Sequence, residues 1–196
     1  MSEAHALRVE RAREAKPNGW WGIALFVATE ATLFGTLIGS YFFLRFNTLQ
    51  WPPPGVPEPK VLWPLVLTGV LVATSVPMQL AVRAGRAGRR GAAWWLVALA
   101  LAVQAVYLAL QIHLFYGDLA KFKPQGSSYG SIYFTLVGAD HAHVALGLLL
   151  DLWLLARLAT RLTTYRLTGL RVIAFYWHFV NVVSIAVVLT QLSPVL

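Results

Sequence analysis

Ionisable side chains inside long apolar stretches are the chemically most informative feature of this sequence. Glu30 stands about ten residues inside an apolar run, which corresponds to a depth of about 15 Å in an α-helix. A carboxylate at that depth in a bilayer is costly unless it is neutral or paired, so an intramembrane acid indicates function by default. We interpret Glu30 as a protonatable group or a polar contact to a partner, with a simple hydrogen bond to a neighbouring helix as the structural alternative.

A second apolar run contains an acid and two histidines in the sequence Gly-Ala-Asp-His-Ala-His-Val. Asp140, His143, Gly147 and Asp151 recur at the spacing of one helical face, which should point into protein or water rather than lipid. His141 lies two residues from His143 and faces away from it, so these two cannot chelate one metal. The pattern favours a polar network between helices, with proton transfer or metal binding as alternatives.

A third polar pair, His178 and Asn181, shares one face of the last apolar run at a spacing of three residues. Because the estimated depths of the three groups are similar, one buried polar network is geometrically possible. Its members would be Glu30, Asp140, His143, His178 and Asn181. Two histidines on facing helices, here His143 and His178, could alternatively ligate a haem b.

Small residues predict where helices approach one another. Ala31, Gly35 and Gly39 follow Glu30 at four-residue spacing, and Gly147 lies on the fourth run. Such stripes let a second helix pack closely. By contrast, the sequence shows none of the common motifs of soluble catalytic sites: the chain has no cysteine, no phosphate-binding loop, no nucleophile elbow and no zinc-binding motif.

The elements that carry these residues are membrane spans. The 196 residues are 58% hydrophobic and 12% charged, whereas soluble domains are about 25% charged. Five apolar runs are long enough to cross a bilayer as helices. They cover residues 20–44, 61–82, 92–115, 129–155 and 172–192. We therefore predict an all-α integral membrane protein, with residues 1–19 as a cytoplasmic tail and residues 20–196 as one five-helix transmembrane domain.

The basic residues predict the orientation of the bundle. Of the 16 Lys and Arg residues, four lie in the tail, four around the second connection and four around the fourth, so twelve fall on one side and four on the other. By the positive-inside rule the N-terminus is cytoplasmic and the C-terminus outside. Because this topology explains the net charge of +8, no nucleic-acid partner is needed.

Three segments resemble one protein family, subunit III of the haem-copper respiratory oxidases. They are WWGIALFVATEATLFGTLIGSYFFLR (residues 20–45), YGSIYFTLVGADHAHVALG (129–147) and FYWHFVNVVSIAVV (175–188). Glu30, His143 and His178 match the family motifs directly. Asp140 and His141 stand where the family usually has His and Gly, and Asn181 where it has Asp, so the polar network is expected to be rewired.

The resemblance implies a non-catalytic subunit of the five-helix bacterial type, in the bacterial plasma membrane. It would hold no haem or copper itself and would bind beside the catalytic subunit I, which carries them. In an aerobic respiratory chain that couples electron transport to proton translocation, it would support proton uptake, protect subunit I during turnover and bind phospholipid. The electron donor of the complex would be cytochrome c or quinol.

Three alternatives stay open at this point. The related accessory subunit of nitric oxide reductases shares these motifs. A haem b membrane anchor would use the intramembrane histidines. A small proton-coupled transporter would use Glu30 and Asp140, although the sequence shows neither the internal repeat nor, beyond Pro77, the broken helices typical of that class.

Overall fold

The structure, a computed structural model, describes residues 18–160 and 162–195. This part of the chain forms six α-helices and a short 3-10 helix, Pro124–Gly126. The α-helices are α1 (Asn18–Phe46), α2 (Leu62–Ala73), α3 (Ser75–Arg86), α4 (Arg90–Leu119), α5 (Ser128–Thr160) and α6 (Thr164–Leu192). The predicted all-α fold is confirmed.

Five helical segments are long and apolar enough to cross a membrane, as the sequence predicts. Four are single helices, and the fifth, Leu62–Arg86, combines α2 and α3. Most of the predicted tail lies outside the described residues, so the division at residues 19 and 20 stays a prediction. So does the orientation of the termini.

The second span is interrupted at Thr74, between α2 and α3. Pro77 lacks a backbone N–H and cannot bond to the carbonyl of Ala73 four residues earlier, which weakens the helix at this point. The Thr74 hydroxyl donates to the Leu71 carbonyl at 2.6 Å. The interruption also presents Thr74 and Ser75 to the neighbouring helices.

The fourth connection is shorter than the polar sequence of residues 156–171 indicates. Helix α5 continues to Thr160 and α6 begins at Thr164, where the Thr163 hydroxyl accepts from the backbone N–H of Arg166 at 3.3 Å. Arg90 of α4 donates to the carbonyls of Ala159 and Thr160, which satisfies the end of α5. Polar residues at the two ends therefore extend the helices beyond the apolar stretches.

The helices form a four-span bundle with α1 on its outside. Helix α6 is central and contacts α1, α2, α3 and α5, while α4 packs against α2, α3 and α5. Helix α1 packs mainly on α5 and α6. In the most apolar stretch of α6, 56% of the residues are buried, whereas in that of α1 only 6% are buried. Helix α1 therefore presents most of its surface to the surroundings.

The connections divide the bundle into two ends. Residues 47–61, which include five prolines, lie with residues 120–127 at what we call the proline-rich end. There Trp51 packs edge-on against Tyr41 and Tyr129 and fixes the first connection to α1 and α5. The opposite, arginine-rich end carries residues 87–89 and 162–163 and corresponds to the predicted cytoplasmic side.

Candidate functional site

Glu30 and His143 form an ion pair or hydrogen bond between α1 and α5. The Glu30 Oε2 atom lies 3.0 Å from the Nε2 atom of His143. The side chains are 20% and 12% exposed respectively, so the pair is largely covered but remains at the edge of the bundle. The pairing meets the requirement that an acid inside a membrane segment be neutral or paired.

The geometry of this pair limits its protonation states. The Nδ1 atom of His143 lies 2.7 Å from the Ala139 carbonyl, which only accepts, so Nδ1 carries a hydrogen and donates. The remaining contact then holds one proton between Nε2 and Oε2. Either an imidazolium faces a glutamate, or a glutamic acid donates to a neutral imidazole. The two side chains therefore share one proton across this contact.

Two aromatic side chains hold His143 in place. The Tyr176 hydroxyl of α6 donates to the His143 carbonyl at 2.8 Å. Phe34 of α1 packs edge-on against the imidazole, with ring centroids 5.0 Å apart. Residues of α1, α5 and α6 thus fix the position of the Glu30–His143 pair.

Asp140, one turn before His143, faces a different neighbour. Its Oδ1 atom accepts a hydrogen bond from the Ser184 hydroxyl of α6 at 2.7 Å, and the residue is 4% exposed. Asp140 and His143 share one face of α5, as the sequence indicates, but this face is broad and contacts two neighbouring helices, α1 and α6. Asp140 therefore belongs to the α5–α6 contact and His143 to the α1–α5 contact.

His178 and Asn181 bind the interrupted second span. The Asn181 Nδ2 atom donates to the Ser75 hydroxyl at 2.7 Å, and the same hydroxyl lies 3.2 Å from His178 Nδ1. Their shared face, predicted from the three-residue spacing, is thus directed at the start of α3.

The five predicted polar residues consequently form three separate groups rather than one cluster. The groups are Glu30–His143, Asp140–Ser184 and Ser75 with His178 and Asn181. His143 and His178 face different helices and do not oppose each other as two axial haem ligands would. Within residues 18–160 and 162–195, no three His, Asp or Glu residues are close enough to share a metal ion.

The structure adds a fourth polar group, which the sequence indicated only through Asp151. This carboxyl is fully buried, and its Oδ2 atom accepts from the Trp177 indole N–H at 2.9 Å. With the amide nitrogen turned toward the acid, Gln104 donates to Oδ2 at 3.0 Å. In the sequence, this group is indicated by an amide and an acid that each lie within an apolar run.

The small residues divide into two kinds. At Gly147 an added Cβ would lie 2.5 Å from the Trp177 ring, so α5 and α6 touch there, as the predicted packing role requires. At Gly35 and Gly39 an added Cβ would meet no atom within 4 Å, and Ala31 is exposed. The stripe on α1 therefore has no partner within the described part of this chain.

The fold and these sites define a class: a multi-span helical membrane protein whose polar groups serve contacts between helices. Comparison with known proteins agrees with this. The family model described as cytochrome c oxidase subunit III matches residues 7–191. The chain belongs to the cytochrome c oxidase subunit III family.

Relatives match along nearly the whole chain. A cytochrome bo(3) ubiquinol oxidase subunit 3 of Pseudomonas aeruginosa is 30% identical over 95% of this chain and 91% of its own length. Cytochrome c oxidase subunits 3 of Corynebacterium diphtheriae and Bacillus subtilis are each 31% identical, over 86% and 85% of this chain and 84% and 81% of their own lengths. The chain is thus a multi-pass protein of the bacterial plasma membrane and a subunit III of a haem-copper oxidase complex, an oxidoreductase.

Proposed function

We propose that this chain is a non-catalytic subunit that binds the catalytic subunit I through the outer face of α1. Haem and copper would reside in the partner subunits. The observation that carries the proposal is the open α1 surface, because only 6% of its most apolar stretch is buried, against 22% to 56% in the other four spans.

The chemistry of that surface suits a transmembrane helix as the partner. Gly22, Gly35 and Gly39 leave space for a close approach. Thr29, Thr32 and Thr36 lie on the same helix and donate their hydroxyls to its own carbonyls, at 2.7, 3.0 and 2.8 Å. These positions therefore carry small side chains with few free hydrogen-bond donors. Both properties favour close packing of helices in lipid.

We further propose that the Glu30–His143 pair supports proton uptake by the oxidase and extends the lifetime of subunit I during turnover. The pair holds a movable proton at the edge of the bundle, on the helix that we assign to the partner interface. A proton store next to the catalytic subunit would keep its uptake path supplied. His143 is fixed by Tyr176 and Phe34, so the pair is preorganised for this role.

The Glu30→Gln variant tests this role. Because glutamine retains the shape and a hydrogen bond to His143 but cannot release a proton, we expect normal assembly and a several-fold fall in the number of turnovers before inactivation. The measurement is oxygen consumption by the purified complex over successive additions of reductant. Thr135→Val is the control, because Thr135 is exposed on α5 and its hydroxyl donates only to a carbonyl of its own helix. Inactivation kinetics of Glu30→Gln equal to those of the unaltered complex would refute a proton role for Glu30.

An apolar cleft at the arginine-rich end fits a phospholipid, which we propose as a bound component. The cleft of 620 Å³ lies between α1, α5 and α6, and its walls include Ile23, Leu150 and Val172. At its end the Arg157 guanidinium lies 5.2 Å from the Trp153 ring centroid and 5.7 Å from that of Tyr165. An acyl chain would fill the cleft and an anionic headgroup would bind Arg157.

We expect Arg157→Leu to reduce the anionic phospholipid retained by the purified complex, measured by mass spectrometry after delipidating washes. Arg83→Leu is the control, because Arg83 is exposed at the same end but does not line the cleft. Equal lipid content in both variants would contradict a specific site at Arg157.

The comparisons favour an oxygen-reducing complex over the nitric oxide reductase alternative, because the matched relatives are named as subunits of oxidases. The separate partners of His143 and His178 argue against the haem b anchor.

A further inference from the structure

A cavity of 220 Å³ reaches from the proline-rich end into the interior of the bundle. Its mouth is formed by residues 57–60 of the first connection and by the end of α4. Its deep wall includes Asp140 and His141 of α5 and Val188 of α6. Asp140 is the thirteenth residue of α5, so it lies about 18 Å along the helix from this end.

Asp140 lines the deep end of this cavity. The residue is 4% exposed, and Ser184 donates to Oδ1 only. Two amides, Gln111 and Gln191, line the cavity as well. A cavity of this size exceeds the roughly 10–15 Å³ that one water requires, and these groups supply the polar partners that buried water needs.

The ionisable groups around Asp140 come from every side. Those lining the cavity, apart from Asp140 itself, are Glu58, Lys60, His113, Asp118, Lys121, Tyr129, Tyr133 and His141. Tyr107 of α4, His143 of α5 and Tyr176 of α6 also interact with Asp140 electrostatically. At the mouth, the negative charges of two acids are balanced by the positive charges of two lysines. Asp140 is the buried carboxyl at the inner end of the cavity.

We propose that this cavity is a water-filled inlet through which Asp140 exchanges a proton with the aqueous phase at the proline-rich end. In each exchange the carboxyl O–H bond breaks and its proton passes to a cavity water, which leaves a carboxylate and a hydronium ion. The reverse step restores the acid. This site is separate from the Glu30–His143 pair, which lies one turn further along α5.

Cysteine accessibility tests the inlet in the assembled complex, because this chain has no cysteine of its own. Val188→Cys places a thiol on the cavity wall, where Val188 is 5% exposed. Leu189→Cys is the matched control at the same depth, since Leu189 is 49% exposed on the outer surface. A membrane-impermeant methanethiosulfonate should modify Val188→Cys at least about tenfold faster, because the reaction requires water. Equal or slower modification of Val188→Cys would overturn the inlet.

The charge of the reagent then reports on Asp140. With Val188→Cys we expect a cationic methanethiosulfonate to react about tenfold faster than an anionic one at high pH, because a carboxylate attracts the cation. The ratio should fall as the pH is lowered and Asp140 is protonated. Adding Asp140→Asn should abolish this dependence, and Asp140→Ser serves in its place if the first variant does not assemble. A ratio that is independent of pH, or that neither variant alters, would overturn proton exchange at Asp140.

Discussion

Gly147→Leu is expected to prevent stable assembly of the bundle. Even the first atom of a side chain at this position would lie 2.5 Å from the Trp177 ring. Trp177 cannot turn away easily, because it is fully buried and its indole N–H is bonded to Asp151. Overpacking in a rigid core costs about 1–3 kcal/mol, and losing the indole bond leaves a buried carboxyl with one partner fewer. We expect a loss of about 3 kcal/mol or more.

The measurement is the yield and thermal stability of the chain in mild detergent, read by fluorescence-detected size exclusion of a tagged protein. Gly147→Ala should show the same effect at smaller size. Gly138→Ala on the same helix is the control, because an added Cβ there meets no atom within 4 Å. Equal stability of the two alanine variants would contradict the close contact between α5 and α6 at Gly147.

Gly35→Leu is expected to release the chain from the oxidase without unfolding it. An added Cβ at Gly35 meets no atom of this chain within 4 Å, so the bundle itself accommodates the change. If α1 packs closely on subunit I, the larger side chain fills the space that the partner helix needs. The retained fraction of subunit I should fall by at least about tenfold, as a 1.4 kcal/mol loss of binding would produce.

Co-purification of subunit I with the tagged chain measures this effect, while the elution profile of the chain verifies its folding. Ala105→Leu on the exposed face of α4 is the matched control, because it adds similar bulk, three carbon atoms instead of four, to a different surface. Loss of subunit I from Ala105→Leu but not from Gly35→Leu would move the interface from α1 to α4.

The span count was predictable from the sequence, but the helix limits were not. Apolar length alone identifies five spans, because lipid-exposed backbone requires continuous helices. Arg157 and Thr160 are polar yet helical, since long or small side chains at a helix end can reach water or neighbouring backbone. Hydropathy therefore ends α5 too early. The interruption at Thr74 has a local cause in Pro77, which the sequence does show.

The partners of the polar residues depended on helix rotation and tilt, which periodicity does not supply. Counting residues along the runs places Glu30 and His143 at similar depth, and in the structure their side chains lie 3.0 Å apart. Spacing could not separate Asp140 from His143, because residues three apart share a broad face on which two neighbouring helices can pack. Ser75 and Ser184 carried no signal of their own, since hydroxyl residues are common in membrane helices.

Affinity purification of the unaltered tagged chain from its native membrane, with mass spectrometry of the recovered proteins, tests whether this subunit serves a terminal oxidase. We expect a large multi-span haem protein with haem-copper oxidase signatures and oxygen-reducing activity in the eluate. Recovery of the chain alone, or together with nitric oxide reductase subunits or an unrelated dehydrogenase, would contradict the account and reopen the roles of Glu30 and His143.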